Sequence, residues 1–188
     1  MTRLVVGSLA VLVALLVPLP TSSATPTVTP TYHVEVIVFR NAGSREELGG
    51  APPLRGAGEP DSPTGGPLVA RYVGPLPASA WQLAGARERL TKAGYRVLAH
   101  AAWIQTPSSW GSRIGLPLDA LGIRVPGLSG QFLLERGSLL HLGMNLRFVA
   151  EGAGVSELSE IRRIRFNERQ YFDHPGLGVI ALVSPGSR

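Results

Sequence analysis

Polarity alternates most cleanly between residues 140 and 148. Leu140, Leu142, Met144, Leu146 and Phe148 hold one parity, and His141, Gly143, Asn145 and Arg147 hold the other. A period of two sends successive side chains to opposite faces of a β-strand, so this stretch predicts a strand with one face in a core and one in water. The segment YHVEVIVFRN, residues 32 to 41, follows another pattern. Tyr32, Val34, Val36 and Val38 face one way, His33, Glu35, Ile37 and Phe39 the other, and the strand ends apolar on both sides. A β-branched run of that kind belongs inside a sheet rather than at its edge.

Other elements follow from the same reading. Leu83, Ala86, Leu90 and Ala93 recur at helical spacing, with Ser79 available as a cap and Gly94 as a left-handed terminus. Residues 95 to 105, 130 to 136, 161 to 167 and 178 to 185 predict further strands, and Gly137-Ser138 marks a hairpin before the strand at 138 to 149. The order is strand, helix, then five strands. The expected fold is therefore α+β, a mostly antiparallel sheet packed on one face by the helix and loosely ferredoxin-like. Residues 41 to 77 and 106 to 129 are rich in glycine and proline, and the first of these reads as a flexible insertion in a single domain spanning 32 to 188.

Leaving one sheet face open gives the polar parity a role. Ile164 and Phe166 are expected in the core, which sends Arg163, Arg165 and Asn167 to the opposite face. There His141, Asn145, Arg147, Arg163 and Arg165 form the candidate ligand-binding set. Guanidinium forks grip carboxylates in a bidentate way and are weakly hydrated.

The first 24 residues, MTRLVVGSLAVLVALLVPLPTSSA, have the layout of a secretory signal peptide: Arg3, an apolar stretch from Leu4 to Val17, and small residues Ser22 and Ala24 before the expected cleavage point. The apolar stretch falls short of the roughly 20 residues of a spanning helix. A Pro/Thr-rich tether, residues 25 to 31, comes next, and no transmembrane segment is expected after cleavage. Without the leader the chain keeps 17 basic against 13 acidic residues, a modest surplus. An exported chain of this charge is expected to meet lipid headgroups and cell-wall carboxylates rather than nucleic acid. It has no cysteine, so disulfides, thiol chemistry and a lipid-modified cysteine are excluded.

Catalytic signatures are sparse. The four histidines show no HExxH spacing, and no GxSxG elbow, SxxK pair or phosphate-binding loop occurs, so no catalytic residue, metal or cofactor is expected. Asp173-His174 reads as a turn before Pro175-Gly176, with a base and its orienting carboxylate as the alternative. Glu168 and Asp173 are the carboxylates a glycan hydrolase would need. Trp81, Trp103 and Trp110 are candidates either for the core or for stacking on sugars.

Four blocks, YHVEVIVFRN, GYRVLAHAAWIQ, GSLLHLGMNLRF and RRIRFNERQYFDHPGLGVIALVSP, together resemble the CsiV family of periplasmic peptidoglycan-binding proteins. The last block is the most specific, through Tyr171, Asp173, His174, Pro175 and Gly178. The resemblance implies a non-enzymatic cell-wall factor of Gram-negative bacteria. Such a factor binds peptidoglycan and assists an outer-membrane lipoprotein activator of a peptidoglycan synthase. It implies no particular contact residues. A protein-interaction scaffold that never touches glycan, and an unrecognised cell-wall hydrolase, remain the alternatives.

Overall fold

The computed structural model describes residues 29–40, 68–150 and 154–186. The expected leader, most of the tether and the 41–67 part of the insertion lie outside the described residues. The remainder forms two five-stranded sheets and one short helix.

The first sheet is antiparallel throughout. It contains β1 (Tyr32–Arg40), β2 (Arg71–Pro75), β3 (Arg96–Thr106), β9 (Arg169–His174) and β10 (Leu177–Pro185), in the order β2-β3-β1-β10-β9. β1 is central, as its two apolar faces require: it pairs with β3 on one side and β10 on the other. The second sheet runs β4 (Ser108–Ser109), β6 (Leu128–Arg136), β7 (Leu140–Val149) and β8 (Val155–Arg163), with β5 (Leu116–Pro117) beside β6. β6 and β7 form the expected hairpin about residues 137–139.

The sheets pack face to face. Tyr32, Val34, Val36 and Val38 of β1, with Trp103, Phe172, Val179, Ala181 and Val183, meet Phe132, Leu134, Leu142, Met144, Leu146 and Leu158 of the second sheet in one core. On the other face of the first sheet, helix α1 (Ala84–Lys92) and Leu83 cover Ile37, Phe39 and Leu182. The layers are helix, sheet, sheet.

This architecture is mostly β, two packed sheets with a single α-helix, and corrects the α+β, loosely ferredoxin-like expectation of one sheet covered by a helix. The nine-residue α1 buries only Ala86, with Leu83 at its start, and Ala93 is exposed. So small a helical surface cannot cover the valines of β1 and the apolar parity of β7 together. The two large apolar faces bury one another instead.

Local expectations shift as well. Residues 68–77 of the supposed insertion contain β2, and Asp173-His174, read as a turn, ends the paired edge strand β9. β8 starts at Val155 and ends at Arg163, so Ile164 is buried but Phe166 is not: it is 44% exposed and stacks on Tyr32. Asn167 turns with φ of 60° rather than extending a strand. Ser79 lies in a 3₁₀ turn and caps nothing by its side chain, whereas Gly94 has the expected left-handed conformation, φ 87°. Among the described residues no helix is long and apolar enough to cross a membrane.

Candidate functional site

The outer face of the second sheet carries most of the residues singled out by alternation. Register across β6, β7 and β8 arranges it in four rows. Ser129, Arg147 and Glu157 form the first; Gln131, Asn145 and Ser159 the second; Leu133, Gly143 and Ile161 the third; Glu135, His141 and Arg163 the fourth. Four of the five candidates therefore share a face: His141, Asn145, Arg147 and Arg163. Arg165 does not belong to it. That residue lies beyond the end of β8 and pairs with Glu168 at 3.6 Å.

The face is open only in part. Asn145, Arg147 and Arg163 are exposed, but His141 is 7% exposed, which corrects its expected place in water. The cause is the Trp110–Arg113 segment. Trp110 lies on the His141 ring, centroids 3.8 Å apart, and Arg113 sits over Trp110 at 4.8 Å. Beneath, the fully buried Glu135 carboxylate accepts the amides of Gly111 (3.0 Å) and Arg113 (2.6 Å) and the Arg113 guanidinium (2.7 Å). A buried carboxylate so satisfied anchors the segment. At the other end, Arg147 and Glu157 pair across strands at 3.3 Å in a half-exposed position, so the pair adds little stability.

Between these ends lies the second row, Gln131, Asn145 and Ser159: two amides and a hydroxyl, uncharged, with donors and acceptors together. The row beside it is flat, because Gly143 carries no side chain and Ile161 closes over its place. The second row is the part of the site that alternation alone understated, since Gln131 and Ser159 lie on strands whose polar parity is broken by Leu133 and Ile161.

The arginine cluster at 162 to 165 is dispersed. Arg162 points inward, over the Phe172 ring at 4.3 Å and against Glu160; Arg163 points outward; Arg165 lies past the strand. The carboxylates are equally separate in role. Glu168 faces Arg165, and Asp173 bonds the Tyr171 hydroxyl across the outer surface of β9, while His174 has the opposite parity. Burial and then the Asp173 carboxylate push the Tyr171 hydroxyl upward from its ordinary pKa. Gly178, opposite Asp173, leaves room for the Phe39 ring, which would lie 2.4 Å from an added Cβ. Of the tryptophans, Trp103 is core and Trp110 lies on His141.

A second polar centre went unnoticed in the sequence. Glu35, 5% exposed at its side chain, accepts the amides of Gln82 (2.7 Å) and Leu83 (2.9 Å) and contacts His100 Nε2 at 2.8 Å. Burial acts to raise the Glu35 pKa, but the hydrogen bond from His100 and those from the two amides outweigh it and hold the carboxyl below its ordinary value. Trp81 lies tilted over His100, 4.4 Å between centroids. The signal available was a lone acidic residue in the apolar middle of β1. Among the described residues no cluster of three or more metal-ligating side chains occurs. Set against protein-family models, curated proteins and solved structures, the chain matches none of them.

Proposed function

We propose that this protein is a non-enzymatic, periplasmic peptidoglycan-binding accessory factor, and that it holds the wall polymer on the outer face of its second sheet. The observation that carries this reading is the uncharged row Gln131, Asn145, Ser159, flanked by the exposed guanidinium groups of Arg147 and Arg163. Amides and hydroxyls exchange hydrogen bonds with N-acetyl groups and sugar hydroxyls, and arginine forks bind stem-peptide carboxylates. The leader-like N-terminus and the resemblance to the CsiV family supply the compartment and the polymer. The same resemblance supports an outer-membrane lipoprotein activator of a peptidoglycan synthase as the protein partner.

Co-sedimentation with purified sacculi tests the reading. The double variant Arg147→Glu, Arg163→Glu should stay folded and remain in the supernatant, while wild type pellets, and wild-type binding should fade as salt screens the guanidinium contacts. Equal pelleting of both proteins would remove the face from consideration. Release of soluble muropeptides would replace binding by hydrolysis, and recovery of a protein partner without any sacculus binding would favour a scaffold.

A further inference from the structure

On the far side of the sandwich, a groove of about 360 Å³ runs between α1 and the ring pair Trp81–His100. One wall is a helical stripe, Ala84, Arg87, Glu88 and Thr91, spaced by three and four residues so that all lie along one side of α1. The other wall is the half-buried Trp81 indole with His100 against it. We propose that this groove is a saccharide subsite for one neutral pyranose ring, stacked on Trp81 and hydrogen-bonded by Arg87, Glu88 and Thr91.

Three observations favour a neutral sugar. First, the platform is fixed before any ligand arrives. Glu35 holds the Gln82 and Leu83 amides that follow Trp81, and the indole Nε1 donates to the Leu76 carbonyl at 3.1 Å. Ordering costs are thereby met during folding. Second, the polar wall offers both signs of hydrogen bonding. Arg87 donates and Glu88 accepts, and neither has an ion pair among the described residues. The Thr91 hydroxyl gives its hydrogen to the Arg87 carbonyl at 3.1 Å and keeps its lone pairs. Lys92 adds a second cation to the lining, yet a dianion would still meet the Glu88 carboxylate, and a purely apolar ligand would strip these groups of water without replacing it. Hydroxyls on a ring with an apolar face satisfy both walls. Third, the buried Glu35–His100 pair is a costly way to support an indole if packing alone were required, since an apolar pair of similar volume serves stability as well.

The subsite is independent of the second sheet, so its failure and that of the wall-binding face are separable. The test is titration of the folded protein with the N-acetylglucosamine tetramer, following Trp81 fluorescence and the His100 ring signals by NMR. Both should shift with saturation. Trp81→Ala should abolish the response, and Arg87→Gln with Glu88→Gln, on the exposed helix surface, should weaken affinity at least tenfold with the unfolding midpoint unchanged. Sacculus binding through Arg147 and Arg163 is read separately. The proposal is overturned by absence of any shift at millimolar tetramer. It is equally overturned by an undiminished response in the Arg87, Glu88 variant, or by acetate shifting the same signals as strongly as the sugar.

Discussion

Replacing Glu35 by alanine tests the centre that aligns the helix with the first sheet. The carboxylate is the acceptor for three donors, the amides of Gln82 and Leu83 and His100 Nε2, all at 2.9 Å or less. Alanine leaves these donors without it, and the Leu83 amide among them is buried. Breaking a buried, hydrogen-bonded pair on one side costs about 3–5 kcal/mol. One buried donor left unsatisfied already costs about 1–3 kcal/mol. We expect Glu35→Ala to fall in the upper range, measured as the difference in urea unfolding free energy at pH 7. The pH dependence supplies an internal control. The folded-state pKa is depressed, so the stabilisation is present above the unfolded carboxylate value and declines as pH falls through the folded one. The gap between wild type and Glu35→Ala should therefore narrow in acid. A loss below about 1 kcal/mol, the ordinary size for a substitution without a special mechanism, or a gap independent of pH, would refute the idea that Glu35 acts as an ionised hub.

Other outcomes follow from the sheet faces and the leader. Leu142→Ala should cost about 2–5 kcal/mol through lost transfer energy and a cavity, whereas Arg147→Ala on the opposite face should stay within about 0.5 kcal/mol; comparable losses in denaturant melts would mean that Arg147 is covered. Gly143→Ala should destabilise by about 1–3 kcal/mol, because the added Cβ would lie 2.7 Å from Ile161 Cβ and 2.9 Å from the Glu160 carbonyl; an unchanged melt would show that β8 yields freely. Under the proposed periplasmic reading, mass spectrometry of a periplasmic fraction should find Thr25 at the N-terminus, and intact Met1 chains in membranes would replace cleavage by anchoring.

Alternation made individual strands legible where each face had one environment. β7 is the clearest instance: Leu142 and Leu146 are buried and Arg147 exposed, as the parity demands. His141 broke the rule because a distant segment, Trp110–Arg113, folds over it, and local periodicity holds no information about that crossover. The second sheet was hidden for a related reason. The apolar parity of β7 says that something covers it, but not whether that cover is a helix or another sheet. The centrality of β1 was readable from its doubly apolar sequence, and that same property, combined with a helix as short as α1, implies a second covering layer. At the candidate site, Asn145, Arg147 and Arg163 were found by parity. The error at Arg165 came from extending β8 past Arg163, where Ile164 still reads as a strand residue.

The pairing of β1 with β10 carries a consequence for biogenesis. Tyr32 lies opposite Pro185, so the first and last strands of the described fold are neighbours at the centre of one sheet. While the chain emerges in order, β1 can find β3 early, but its other edge must wait for the C-terminal strand. Such long-range pairings form slowly and leave apolar strand edges open to the wrong partners meanwhile. The chain cannot lock into its native sheet before β10 has been made. Truncation within residues 177–185 is accordingly a lesion of the whole fold rather than of its terminus.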